Sequence, residues 1–281
     1  MRTTDAPVIG MQTAAGLGQG LRSPRLQWLH ARDFVTRQHP AHIQGLSADL
    51  EGLRILHLSD LHVKTKWSCA YDALIAQTLA RQYDLILVTG DLVDDKRDHR
   101  PAMPTLCKFL SQLRTRLGIW TILGNHDNVR MGMELENVGI PVLLGERQVV
   151  QVGSGRVELI GAPGPERRHL RASFPKRFGP PDAGVPRIIM AHFPDHFPKL
   201  VCMEPDLYLC GHTHGGQICL PNGFAPFLHD KSPRHLCKGI HRMGKTHYVV
   251  NQGFGFSGLP IRVFCPAEVV EITLSGEDRT A

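Results

Sequence analysis

Five short apolar runs in this chain each stop on a carboxylate, an amide or an imidazole, and this recurrence restricts what the chain can fold into. Leu53–Ser59 runs into Asp60 and His62, and Asp84–Thr89 into Gly90-Asp91. Ile119–Leu123 runs into Gly124-Asn125-His126-Asp127, Arg187–Ala191 into His192, and Asp206–Cys210 into Gly211-His212-Thr213-His214. Runs of this length, rich in Ile, Leu and Val, suit strands buried on both faces. In open α/β sheets, ligands bind outside the carboxyl ends of such strands. Asp60 and His62 are two apart, so on extended backbone both side chains leave on one side. A lone histidine in such a run is ordinarily a packed core residue, and one Asp-x-His is a weak signal. Five strand ends in succession are hard to explain by packing, because an unpaired buried polar group costs about 1–3 kcal/mol. Coordination of a cation removes that cost.

Helices separate the runs. Tyr71–Arg81 carries Tyr71, Leu74, Ile75 and Leu79 on one face, and Thr105–Leu117 closes on Gly118. The second half differs: Val142–Leu144, Gln148–Val152 and Val157–Ile160 read as short strands of an antiparallel or mixed sheet. Residues Gly164–Pro186 and Asn222–Lys245 read as long loops, and His247–Asn251 and Glu268–Leu274 as closing strands. Residues 1–22 are small and Gly-rich, a flexible lead. Residues 23–50 are expected to form a helical extension, with Ser23-Pro24 as the cap of a helix reaching about Gln38. Arg22, Arg25, Arg32 and Arg37 make it basic and amphipathic. Such a helix packs on its own domain or lies on a membrane surface. The domain proper then spans 51–275, and 276–281 is a frayed tail.

Composition excludes some classes. Hydrophobic residues make up 42% and charged residues 21%, which is a globular balance rather than a disordered one. The formal charge of +6 favours anionic partners, although a generally basic surface explains it as well. No Lys/Arg block is interleaved with aromatics, so nucleic acid is not expected. Seven cysteines without a C-x-x-C pair point to a reduced, cytoplasmic setting. No apolar run reaches the roughly 20 residues that span a bilayer, and the N-terminus lacks the order of a secretion signal.

The motifs S-D-L-H (Ser59–His62), G-D-L-V-D (Gly90–Asp94), G-N-H-D (Gly124–Asp127), A-H-F-P-D (Ala191–Asp195) and G-H-T-H-G-G (Gly211–Gly216), in that order, resemble the calcineurin-like metallophosphoesterase superfamily. Gly216-Gln217-Ile218, Leu220-Pro221 and the tail Gly253–Arg262 resemble its YkuE-like branch. The resemblance covers roughly residues 50–275 and implies a four-layer α-β-β-α sandwich of two mixed sheets with a dimetal site at one rim.

Carried over residue by residue, it implies one cation on Asp60, His62, Asp91 and His214. The other would sit on Asp91, Asn125, His192 and His212, with Asp91 bridging. Oxygen and imidazole donors suit two divalent ions, Mn, Fe or Zn, with Mn favoured. A water between them would supply hydroxide for in-line attack on phosphorus. His126 would stabilise the transition state or protonate the leaving oxygen, and Asp94 matches the carboxylate that pairs with it. Asp127 would support the site or cap a turn, and Gly215 and Gly216 would let backbone pass close to the metals.

Other histidines carry less: His57 reads as packed, and His196, His229, His235 and His241 have no assigned part. Arg167, Arg168, His169 and Arg171 could reach a phosphate, with a solvated loop as the default.

The expected function is hydrolysis of a phosphoric ester or anhydride. The substrate could be a membrane-associated pyrophosphate such as a UDP-acylglucosamine, the enzyme being peripheral to the membrane through its N-terminal helix. A soluble phosphomonoesterase or phosphodiesterase fits equally. A third reading, from another class, is a metal-bound interaction scaffold without catalysis, which predicts gaps among the ligands or at His126; none is present.

Overall fold

The computed structural model describes residues 26–28, 34–228 and 230–276. In chain order the strands are β1 (Leu26–Trp28), β2 (Val35–Ile43), β3 (Arg54–Leu58), β4 (Leu85–Thr89), β5 (Ile119–Ile122), β6 (Arg147–Val152) and β7 (Gly155–Gly161). They continue with β8 (Arg187–Met190), β9 (Leu207–Cys210), β10 (Gly239–Met243), β11 (Thr246–Val250), β12 (Ile261–Val263) and β13 (Glu268–Gly276). The helices are α1 (Cys69–Arg81), α2 (Met103–Gln112), α3 (Val129–Asn137) and α4 (Phe197–Leu200).

Burial on both faces of the central strands sets the layers. Alternate residues of a strand point to opposite sides. Thus Ile55, Leu85 and Leu87 pack with Ile188, Met190, Leu207, Leu209 and Val249 in a core between two sheets. Leu56, Leu58, Ile86 and Val88 point the other way, to Leu74, Leu106, Phe109 and Leu135 of the helices. Ile189, Tyr208 and Cys210 do the same on the far side, against Phe197 and Leu200 of α4. The result is helix, sheet, sheet, helix, as expected.

One sheet orders β2-β13-β3-β4-β5, with β3, β4 and β5 parallel and β13 antiparallel to β3. The other orders β10-β11-β9-β8-β7-β6, parallel through its four middle strands and antiparallel at both edges. The carboxyl ends of β3, β4, β5, β8 and β9 are the five strand ends marked in the sequence.

The helix expected over 23–38 is not there. Leu26–Trp28 and Val35–Ile43 are strands, and β2 pairs in parallel with β13 from Val35↔Glu268 to Ile43↔Gly276. Nine residues of ladder outweigh a helix that Pro40 would have stopped. As β2 is an edge strand, Pro40 sacrifices no hydrogen bond a central strand would need. The cap at Ser23-Pro24, the lead 1–22 and the tail beyond 276 lie outside the described residues. No helix among the described residues is long and apolar enough to cross a membrane.

Smaller departures are informative. Val142–Leu144 gives only an isolated bridge, Val142 to Thr121. The stretch from 129 to 137, not read as an element, is α3, capped by Asn128 accepting from the Met131 amide. Gly239–Met243, expected in a loop, is an edge strand on β11.

Candidate metal centre

All seven candidate ligands converge where the two sheets meet. Asp60 and His62 follow β3, Asp91 follows β4, and Asn125 follows β5. His192 follows β8, and His212 and His214 follow β9, so each sheet supplies part of the set. Asp60, His62, Asp91, His192 and His214 are buried. The backbone turns sharply here. Of the nine described non-glycine residues with positive φ, five are Asp60, His62, Asp91, His212 and His214. Such conformations cost on the order of 1 kcal/mol or more each and persist only where the surroundings impose them. The side chains therefore converge through left-handed turns rather than by alternation along extended strands.

Their donor atoms form two sets that share one oxygen. In the first, His62 Nε2 lies 3.0 Å from His214 Nε2, and His214 Nε2 lies 3.4 Å from Asp60 Oδ1. In the second, His192 Nε2 lies 3.0 Å from Asn125 Oδ1 and 3.2 Å from His212 Nδ1. Asp91 Oδ2 belongs to both, 3.6 Å from His62 Nε2 and 3.4 Å from His192 Nε2.

These donors fit divalent cations. Bonds of about 2.0–2.2 Å give donor-to-donor edges of roughly 3.0–3.5 Å in tetrahedral or octahedral shells. The triads Asp60–His62–His214 and Asp91–His192–His212 each gather their ligand atoms within 4.8 Å of one another. A third group, His62–Asp94–His126, does the same beside them.

Neighbouring groups aim the donors. His192 Nδ1 lies 2.9 Å from the Thr89 carbonyl, which only accepts, so in the neutral ring the proton sits on Nδ1 and Nε2 turns its lone pair to the centre. Ser59 donates to Asp60 Oδ2 at 2.6 Å, and the His212 amide donates to both Asp60 oxygens. The His126 amide donates to Asp91 Oδ1 at 2.8 Å, leaving Oδ2 for the centre. Gly124 and Gly211 are glycines by necessity, since a Cβ at Gly124 would strike Asp91 Oδ1 and one at Gly211 would strike Ser59 and Asp60.

Charges inside the cluster are interdependent. Burial opposes ionisation of Asp91, but the positive His192 and His62 outweigh it and hold this carboxyl well below its usual range. Burial likewise disfavours the charged His192, and Asp91 reverses this and raises it to about 9.

Asp94 departs from its expected part. Its carboxylate does not engage His126; it lies 3.3 Å from His62 Nδ1 and 3.2 Å from Lys64 Nζ. His126 Nδ1 instead meets the Asp94 backbone carbonyl at 2.6 Å. The carboxylate pairs with His62 and Lys64, and the Asp94 carbonyl takes His126 Nδ1. Asp94 thus orients His62, while its backbone fixes the tautomer of His126.

Asp127 ties loops together. Its Oδ1 accepts from the Leu92 and Val93 amides and its Oδ2 from Gly124, which locks the turns after β4 and β5. Burial pushes it up to about 7, with Asp91 adding to the shift and the Gly124 and Val93 amides opposing it. Cβ atoms at Gly215 and Gly216 would meet Cys265 with Gln252, and Ala225. His57 is packed as expected, 2.9 Å from Thr89 Oγ1. His229 lies outside the described residues.

Arg262 was quoted only as the end of a motif, yet it is fully buried beneath the site. Its Nη2 lies 3.2 Å from His214 Nδ1 and donates to the carbonyls of Gly253 and Gly255. Sequence position gives no hint that residue 262 returns to residue 214.

A family model described as calcineurin-like phosphoesterase matches residues 53–216. Phosphodiesterase YaeI of Escherichia coli (strain K12) is 32% identical, over 79% of this chain and 82% of that protein. The metallophosphoesterase YkoQ of Bacillus subtilis (strain 168) is 30% identical, over 77% of this chain and 82% of its own length. YkuE, another metallophosphoesterase of that organism, is 26% identical over 95% of this chain and 94% of its own.

Proposed function

The chain belongs to the calcineurin-like phosphoesterase family, and we propose from this that it is a dimetal hydrolase of phosphoric esters or anhydrides. Asp60, His62, Asp91 and His214 would hold one cation, and Asp91, Asn125, His192 and His212 the other. The observation that carries this reading is Asp91 Oδ2, one carboxylate oxygen within 3.6 Å of both donor sets. The donors, oxygen and imidazole without thiolate, favour manganese, iron or zinc, with manganese first. Bound cations supply Lewis acidity at the phosphoryl group and an activated water near neutral pH.

The chain's own residues do the rest. Asp94 keeps the His62 ring turned so that Nε2 faces inward. The Asp94 carbonyl holds the Nδ1 proton of His126, so the proton exchanged in reaction is the one on Nε2. Entering as the imidazolium, His126 gives its Nε2 proton to the departing oxygen as the bond from phosphorus breaks, and is left as the neutral ring with its proton on Nδ1. Phosphodiesters are the first substrates to try, given the name of the YaeI relative. Monoesters and lipid-linked pyrophosphates follow.

The test is Mn²⁺-dependent release of p-nitrophenol from p-nitrophenyl phosphate and its bis ester. Turnover that chelation removes and manganese restores is the expected result. No turnover by fully metal-loaded protein would leave the non-catalytic scaffold as the better reading.

A further inference from the structure

His62 has a second neighbourhood besides the donor cluster. It lines a cavity of about 400 Å³ whose other walls come from the loop after β3, the first turn of α1 and the segment after β11. Leu61, Tyr71, Phe254, Phe256 and Pro260 make most of its surface apolar. Lys64 and Lys66 stand among the lining residues, and no carboxylate does. Lys64 already meets Asp94, whereas Lys66 is exposed and forms no ion pair among the described residues. A cleft of about 560 Å³ elsewhere, bounded by α2 and β5, includes none of the candidate ligands.

The apolar floor is rigid. Tyr71 stacks on Phe109 at 4.5 Å, and Phe109 lies nearly parallel to Phe254 at 6.3 Å. Phe256 is held under the Arg262 guanidinium at 5.6 Å. A preformed aromatic floor binds a flat apolar group without spending entropy on ordering side chains. Lys66, exposed at a wall that carries no carboxylate, favours an anion. The volume is in the range of small-molecule pockets and far larger than a phosphoryl group needs. Because His62 is common to the cavity and the candidate metal cluster, the cavity adjoins that cluster.

We propose that this cavity holds the organic arm of the substrate, and that the arm combines a flat apolar body with a second negative charge. This rests on the phosphoesterase reading above and narrows it. Small hydrophilic esters such as glycerol or sugar phosphates are poor substrates on this view, and aryl, nucleobase or acyl arms bearing a further carboxylate or phosphate are good ones.

Three phosphodiesters that release the same p-nitrophenolate test this. Their second arms are methyl, phenyl and 4-carboxyphenyl. Wild-type enzyme with manganese should show a KM about tenfold lower for phenyl than for methyl, and lower again for carboxyphenyl. Phe256→Ala should bring the phenyl-to-methyl ratio close to one. Lys66→Ala should cancel the further gain from the carboxylate while keeping the phenyl preference. Ratios unchanged in both variants would overturn the proposal, as would a wild-type preference for methyl.

Binding of 1-anilinonaphthalene-8-sulfonate, an aromatic anion, separates the two layers of inference. Stoichiometric binding to folded wild-type protein that weakens about tenfold in Phe256→Ala supports the pocket without any turnover. Such binding in a protein that hydrolyses none of the diesters would overturn the phosphoesterase reading and, with it, the assignment of a substrate arm. Turnover of the diesters without dye binding at Phe256 would overturn the pocket alone.

Discussion

Asp91 is the residue on which the centre turns, because its Oδ2 is the one atom within reach of both donor sets. Asp91→Asn keeps the size and tolerates the left-handed φ of 52° at this position, while removing the charge. Elemental analysis of that variant should fall from two metals per chain to less than one; retention of two would refute the bridge. His126→Ala should retain both metals and lose about 10²–10⁴ in kcat, the range of a missing proton donor. The ligands themselves were legible in the sequence because each directly follows a buried run. The partner of His126 was not. That the carboxylate of residue 94 pairs with Lys64 and His62 while its carbonyl meets that ring is encoded by no spacing. Arg262 was hidden for a similar reason, since its contact with His214 spans 48 residues.

At the scale of elements, strands buried on both faces announced themselves and edge strands did not. β3, β4, β5, β8 and β9 are mainly apolar, broken by Arg54, His57, Thr89, Thr121 and Arg187, whereas β2 and β10 carry fewer apolar residues among polar ones. α3 was obscured by Gly132 in its middle, a residue whose added Cβ would press on Leu123. β2 also brings a titratable contact to the join between the sheets. His39 Nε2 meets His247 Nδ1 of β11 at 2.8 Å, and His247 Nε2 meets the His42 carbonyl at 3.0 Å, with Arg242 alongside. Burial lowers both histidines to about 4; the charges of His247, His42 and Arg242 add to the effect at His39, and at His247 burial prevails over the opposing His42 carbonyl, with Arg242 and His42 adding to it. Unfolded, each titrates near its ordinary 6.5. Between those values the unfolded chain binds more protons, so stability is full at neutral pH and falls as pH drops from about 6.5 toward 4. The loss should be on the order of a few kcal/mol. Melting curves across this range should show a shallower acid slope for His247→Asn than for wild type, and identical slopes would exclude the pair as the cause.

For the whole molecule, the layer order was legible from alternating burial, but the division of ligands between two sheets was not. Asp60, His62, Asp91 and Asn125 ride on one sheet and His192, His212 and His214 on the other. Cations held by both sets would fasten the sheets together, and a ligand that binds only the folded chain stabilises it by mass action, about 2.7 kcal/mol at a hundredfold excess over Kd. Adding manganese to chelated protein should raise Tm by several degrees, and the rise should be absent in Asp91→Asn. An equal rise in that variant would mean that the ions bind elsewhere. The five left-handed ligand positions carry a further consequence. A chain freed from holding ions would rest more easily with asparagine or glycine at them, so His212→Gly should melt at or above wild type once both are stripped of metal. Any lineage that stopped using the centre would therefore gain robustness by eroding it, and intact imidazoles on such uncomfortable turns are the mark of a protein still employed in its chemistry.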